Sequence, residues 1–231
     1  MNRGEDTWVY ESIVSEFPGL SLSETGALIV QFAVFEAVIV FLAFVYELPR
    51  ILVPGTLSVF VAVVGSGFML YLGESVRSLD SPEEYRALLF DTSIEVVLGL
   101  LAFTGFVTYV FVVDPGFLSS VLGEDPPAPL VYVALLIAWD LCYRIGTAWW
   151  ASLIGLWRSY WYVSGYSFDS PREYAYADTV NIGFAAAQLL LLPIILESRL
   201  LVVALVGHVL AVATVSGTSV ALLWYSSTYF K

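Results

Sequence analysis

Six stretches of this chain each run for about twenty residues or more with no more than two charged side chains. A helix of about twenty apolar residues crosses the ~30 Å hydrocarbon layer of a bilayer, whereas a barrel strand needs only about ten. Inside that layer every backbone N–H and C=O must find its partner within the protein, which leaves helices or closed barrels. The runs are twice too long for barrel strands. The sequence therefore predicts an all-α integral membrane protein, a bundle of about six transmembrane helices. Composition agrees: 59% of the 231 residues are hydrophobic and 13% are charged, about half the charge of an ordinary soluble domain.

The expected spans cover about 25–46, 52–72, 92–113, 130–156, 177–196 and 200–225, separated by the breaks ELPRILVP, VDPGF, EDPPAP and LESR. Residues 25–231 thus form one polytopic membrane domain. The fourth stretch stays apolar or aromatic to about Tyr162, too long for a single crossing. It is expected to protrude or to break near Gly146 or Gly155, with Trp149, Trp150, Trp157 and Trp161 at the interface. Residues 1–24 are expected in the cytoplasm. They carry Glu5, Asp6, Glu11 and Glu16 where a signal peptide needs positive charge. Tyr10, Ile13, Val14 and Phe17 share one helical face there, the pattern of an amphipathic helix on the membrane surface.

Acidic residues number 21 against nine basic ones, and the one lysine is Lys231. Such a balance argues against nucleic acid as a partner. It resembles the proteins of extreme halophiles, where molar salt shortens the Debye length to about 3 Å. The expected setting is the cell membrane of a halophilic prokaryote. The partners expected are the lipid bilayer and either a second copy of the chain or another membrane protein. Arg3, Arg77, Arg86, Arg158, Arg172 and Lys231 fall on one side of the predicted spans, against Arg50 and Arg199 on the other. The positive-inside rule then places both termini in the cytoplasm.

No cofactor is expected. A lone Cys142 excludes an intramolecular disulfide or a CxxC site. A single His208 excludes bis-His haem ligation within one chain, and no span holds a lysine for a retinal Schiff base. Motifs for phosphate loops, zinc hydrolases, dinucleotides and potassium filters are absent from the sequence.

An eight-residue pattern occurs twice, SLDSPEEY at 78–85 and SFDSPREY at 167–174, each ahead of an apolar run. Its S-P-x-E core reads as a capping box: Ser81 or Ser170 at the N-cap, Pro82 or Pro171 first in the helix, Glu84 or Glu173 third. Residues 21–24, SLSE, read as another box. Capping leaves the shared leading Ser, Asp and Tyr unexplained, as well as the pairs Asp91–Thr92 and Asp178–Thr179. A duplication would explain them, and it would relate two parallel halves about an axis along the membrane normal.

Ionisable groups within hydrocarbon need partners or a purpose. Glu36, Asp140, Arg144 and His208 form the candidate intramembrane cluster, with Glu36 and Asp140 each about 15–17 Å deep at 1.5 Å per residue. Asp140 and Arg144 are spaced i, i+4 and can pair on one helix. One expectation is an ion pair locking the bundle, with Glu36 taking the remaining arginine donors. The other is a proton or ion relay in which Glu36, Asp140 and His208 line a cavity. Glu95 and Asp178 are expected at cytoplasmic helix ends, either at the interface or in a vestibule. Asn181 and Gln188 are expected to make interhelical hydrogen bonds. Ser216 and His208 share a helix about 12 Å apart, too far for a nucleophile and its base. Ala213, Gly217 and Ala221 at four-residue spacing predict close helix packing. The function expected is a small transporter or channel. A structural or accessory subunit is the alternative, and a membrane enzyme ranks third because clustered ligand residues are missing.

Overall fold

The computed structural model describes residues 23–79, 81–165 and 170–229. The fold is an all-α bundle, with no strand among the described residues. The first helix, α1 (Glu24–Val45), opens at Ser23, whose hydroxyl accepts the Gly26 N–H at 3.1 Å. It ends beyond Tyr46 at Glu47, which sits at φ 55° ahead of Pro49. A 3-10 turn (Pro49–Ile51) leads into α2 (Leu52–Ser78). Next come a short α3 (Glu83–Phe90) and α4 (Ile94–Thr108), which widens into a π turn at Tyr109–Val113. Helix α5 (Pro115–Leu122) lies between α4 and the long α6 (Ala128–Val163). Helix α7 (Pro171–Ala187) continues through a 3-10 turn (Gln188–Leu191) into α8 (Leu192–Ile195), and α9 (Arg199–Tyr229) closes the chain.

Six segments are long and apolar enough to cross a membrane: 25–45, 49–78, 83–113, 128–163, 171–195 and 199–225. They are compatible with a multi-pass membrane protein. Outward-facing Phe44, Val53, Val112, Val203 and Leu210 are each more than 60% exposed, as expected of surfaces solvated by lipid. Helix α6 is the spine of the bundle. Helices α2, α4, α7 and α9 all pack against it, while α1 rests on α2.

Several expectations change. Helix α6 does not break at either glycine; it runs unbroken for 36 residues, about 54 Å, and so extends beyond a ~30 Å hydrocarbon layer. Its glycines instead allow close approach. A Cβ on Gly146 would come 2.5 Å from the Gly99 amide nitrogen and 2.6 Å from the Glu95 carbonyl. The capping boxes are not formed. Pro82 occupies the N-cap of α3, and the Ser81 hydroxyl instead donates to the Val76 carbonyl at 3.0 Å and meets Tyr174 Oη at 2.6 Å. Ser170 does hold the N-cap of α7 with Pro171 first in the helix, but at φ 62° and without a side-chain cap. At the start of α1 the cap is Ser23, two residues later than expected. Ser21, Asp80, Asp169 and the amphipathic face at residues 10–17 lie outside the described residues.

The small-residue stripe of α9 faces outward. A Cβ on Gly217 would meet nothing within 4 Å, and Ala221 is exposed. The inward positions are Val212, Ser216, Ser219 and Leu223, all at most 1% exposed. The close packing expected at Gly217 and Ala221 is thus not formed, and the interior takes up the neighbouring hydroxyls of Ser216 and Ser219 instead.

Candidate functional site

Asp140, Arg144, Thr147, Ala151, Gly155 and Arg158 recur at three- and four-residue steps along α6, so they share one face of the helix, and Ser152 and Ser159 stand one position beside it. That face turns toward α2, α7 and α9 and organises the polar interior into layers.

The first layer lies at the end of the bundle where Ser81 and Tyr85 meet Tyr174, called here the motif end. Arg158, 1% exposed, donates through Nη2 to Asp178 Oδ2 at 2.6 Å and through Nη1 to Tyr85 Oη at 3.1 Å. Its guanidinium carbon sits 5.2 Å from the Tyr85 ring centroid and 4.4 Å from that of Tyr174. The two tyrosines, the last residues of the two repeated segments, meet edge-on at 6.0 Å. Ser219 Oγ lies 2.6 Å from Asp178 Oδ2, 2.6 Å from Ser159 Oγ and 3.0 Å from the Gly155 carbonyl. Gly155 leaves room for this carboxylate, since a Cβ there would lie 2.7 Å from Asp178 Oδ1 and displace it.

One turn deeper, Asn181 Nδ2 donates to Ser152 Oγ at 2.8 Å, the Ala148 carbonyl at 3.1 Å and Ser216 Oγ at 3.3 Å. The Ser216 hydroxyl donates to Ser152 Oγ at 3.1 Å. This layer and the first stitch α6, α7 and α9 together. Interhelical hydrogen bonds of this kind hold membrane helices where apolar packing alone gives little drive.

The third layer holds Arg144, fully buried. Its Nε donates to Asp140 Oδ2 at 3.1 Å, and its Nη2 donates to Oδ1 at 2.7 Å and Oδ2 at 3.0 Å. Nη1 lies 3.7 Å from Met69 Sδ. A Cβ on Gly65 of α2 would collide with Arg144 Cδ, so this glycine leaves room for the guanidinium stem. Asp140 also borders a cavity of about 10 Å³ with Gln31, Phe35, Val59, Ala62 and Ile137, room for a single water.

The expected cluster divides. Asp140 and Arg144 pair within α6. Glu36 does not take up the arginine's donors; Oε1 accepts the Thr56 hydroxyl at 2.7 Å, joining α1 to α2. His208 stands on the α9 face toward α6, its ring 6.0 Å from that of Trp149. Glu95 stands in the first turn of α4, the helix end expected of it, whereas Asp178 lies about two turns into α7, and both are buried. They are 1% and 6% exposed, and Asp178 is the partner of Arg158. Glu95 Oε2 has no hydrogen-bond partner among the described residues. Asn181 makes the interhelical bonds expected of it, whereas Gln188 makes none among the described residues.

Sequence reasoning placed Arg158 in a loop and gave Tyr85, Tyr174, Ser159 and Ser219 no role in a site. A signal for Arg158 was available. It follows Arg144 by fourteen residues, about four full turns, which puts both on one face.

No curated protein and no solved structure matches the chain. A family model, that of the family of unknown function DUF7530, matches residues 3–219, and the protein belongs to that family.

Proposed function

We propose that the protein is a small multi-pass membrane transporter or channel that passes a proton or small cation along the interior face of α6. The observation carrying this reading is the stacking of its polar layers. They start at Arg158, Asp178 and Ser219 at the motif end, continue through Asn181, Ser152 and Ser216, and reach Arg144 and Asp140 deep in the bundle. Ionisable groups inside membrane helices are costly and rare, and they mark substrate or ion pathways. The interrupted course of α7 near that depth supports the same reading, because solute sites gather at broken spanning helices. In this reading both termini and the motif end are cytoplasmic. The surplus of acidic residues suits a cell surrounded by molar salt.

The test is flux across liposomes containing purified protein, read with a pH-sensitive dye and a potassium gradient. Wild type is expected to dissipate the gradient faster than protein-free vesicles, and Asp140→Asn and Asp178→Asn to slow it. Vesicles as tight as the protein-free control overturn the reading, and so do two well-folded variants that conduct like wild type.

A structural or accessory role is the second reading, favoured by a different observation. Arg144 and Arg158 are each neutralised by a carboxylate within the bundle, at 2.7 Å and 2.6 Å. Tight vesicles would select it.

A further inference from the structure

Helix α7 changes character at Gln188. Residues Gln188–Leu191 form a 3-10 turn, and Pro193 follows within α8. A proline lacks the N–H that would bond the preceding turn. Irregular backbone at membrane depth persists where it is buried in protein or meets water. Gln188, the first residue of the break, is 1% exposed, and neither its Oε1 nor its Nε2 has a hydrogen-bond partner among the described residues. His208 Nδ1 and Nε2 are likewise buried and without partners there.

The register of the bundle brings these two residues to one level. Helices α7 and α9 run antiparallel, with Ser219 on Asp178 and Ser216 on Asn181. Eight residues beyond Asn181 is Leu189, and eight before Ser216 is His208, so His208 comes level with the residue after Gln188. The 3-10 turn packs against α9. On α6, which contacts α9 through Ser152–Ser216 and Gly155–Ser219, the same eight-residue step from Ser152 leads to Arg144. Gln188 and His208 thus stand at the depth of the Arg144–Asp140 pair, on facing helices, with four polar atoms unmatched.

Leaving a buried donor or acceptor unpaired forfeits its hydration with nothing in return. The chemistry of these four atoms restricts what can match them. An amide supplies one acceptor and a two-proton donor, and a neutral imidazole supplies one of each. A cation would face the amide and imidazole N–H groups, and an anion would face their acceptors. Water donates and accepts at once, and a bound water with two to four polar partners is a regular constituent of protein interiors. We propose that Gln188 and His208 hold an internal water site at the break of α7. The water joins α7 to α9 and matches polar groups at a point where the helix is no longer regular. The site does not depend on transport and would exist in a purely structural bundle.

Hydroxyl-radical footprinting by X-ray radiolysis tests it on the full chain in lipid nanodiscs. Radicals formed from a bound water oxidise the side chain beside it, so His208 is expected to be oxidised in wild type. Gln188→Met, which keeps the length of the side chain, should reduce that oxidation several-fold. An unoxidised His208 overturns the proposal, and so does oxidation unchanged by Gln188→Met. Thermal unfolding gives a second measurement. Gln188→Met and His208→Phe should each lower the midpoint by about 2–4 °C, the shift for one lost hydrogen bond in a chain this long. Together they should lower it by less than the sum, since both lose the same water. If each variant instead raises the midpoint, the two groups were dry and the proposal fails.

Discussion

At the scale of single residues, two arginines define the interior, and both are buried with a carboxylate. Breaking a buried ion pair by removing one partner costs about 3–5 kcal/mol, whereas replacing both with apolar groups of similar volume is often close to neutral. Arg158→Met leaves Asp178 buried against Ser219 and withdraws the cation from between Tyr85 and Tyr174. Its thermal midpoint in detergent should fall markedly, and Asp178→Leu should recover a large part of the loss in the double variant. Losses that simply add would mean that the two side chains do not act as a pair. How far such pairs can be read from sequence depends on the separation of their members. Asp140 and Arg144 lie one turn apart on one helix, so local geometry alone predicts that they meet. Arg158 and Asp178 lie 20 residues apart on two helices, and their meeting follows from packing that no local rule supplies. Glu36 shows the same gap from the other side. Its depth was legible, but its partner is the Thr56 hydroxyl on α2, while Arg144 Nε and Nη2 are taken by Asp140.

At the scale of elements, the six apolar segments follow from length and hydropathy, and their observed positions differ from expectation mainly at the ends. Hydropathy does not register a helix that continues past the hydrocarbon, so α2 and α6 run six or seven residues beyond their expected limits at the motif end. Nor does it resolve α3, which is polar at its start yet tied to α6 by Trp150 Nε1 donating to the Leu88 carbonyl at 2.8 Å. The SxDSPxEY segments were legible as helix starts. Their shared tyrosines acquire a purpose only when both rings reach Arg158. Glycine positions separate close-packed surfaces from open ones. Gly146→Val puts a side chain against the backbone of α4 at Gly99 and Glu95, an obstacle that rotamer changes cannot relieve. Overpacking typically costs about 1–3 kcal/mol, and a backbone clash belongs at or above the upper end. The variant should lose most of its monodisperse yield on size-exclusion chromatography. Gly217→Val, with nothing within 4 Å of the new Cβ, should elute and melt like wild type. Equal behaviour of the two variants would count against the close α4–α6 crossing.

At the scale of the whole molecule, orientation in the membrane depends on charges that flank the spans, and burial changes which charges qualify. Arg158 lies inside the bundle, so it no longer counts among loop residues. Arg77, Arg86 and Arg172 remain at the motif end among the described residues, against Arg50 and Arg199 at the opposite end. Although the margin narrows, its sign is kept, and short flanking segments are where the positive-inside rule operates. The motif end is therefore expected in the cytoplasm. Ser164, exposed just after α6, and Asp125, exposed just before it, report on the two sides of the membrane. In a background carrying Cys142→Ala, Asp125→Cys should react with a membrane-impermeant maleimide on intact cells. Ser164→Cys should react only after the cells are opened. The reverse pattern would invert the bundle and turn the Arg158 layer toward the outside. Labelling of both positions in intact cells would mean that the two loops do not face opposite sides, and six crossings in this order would no longer hold.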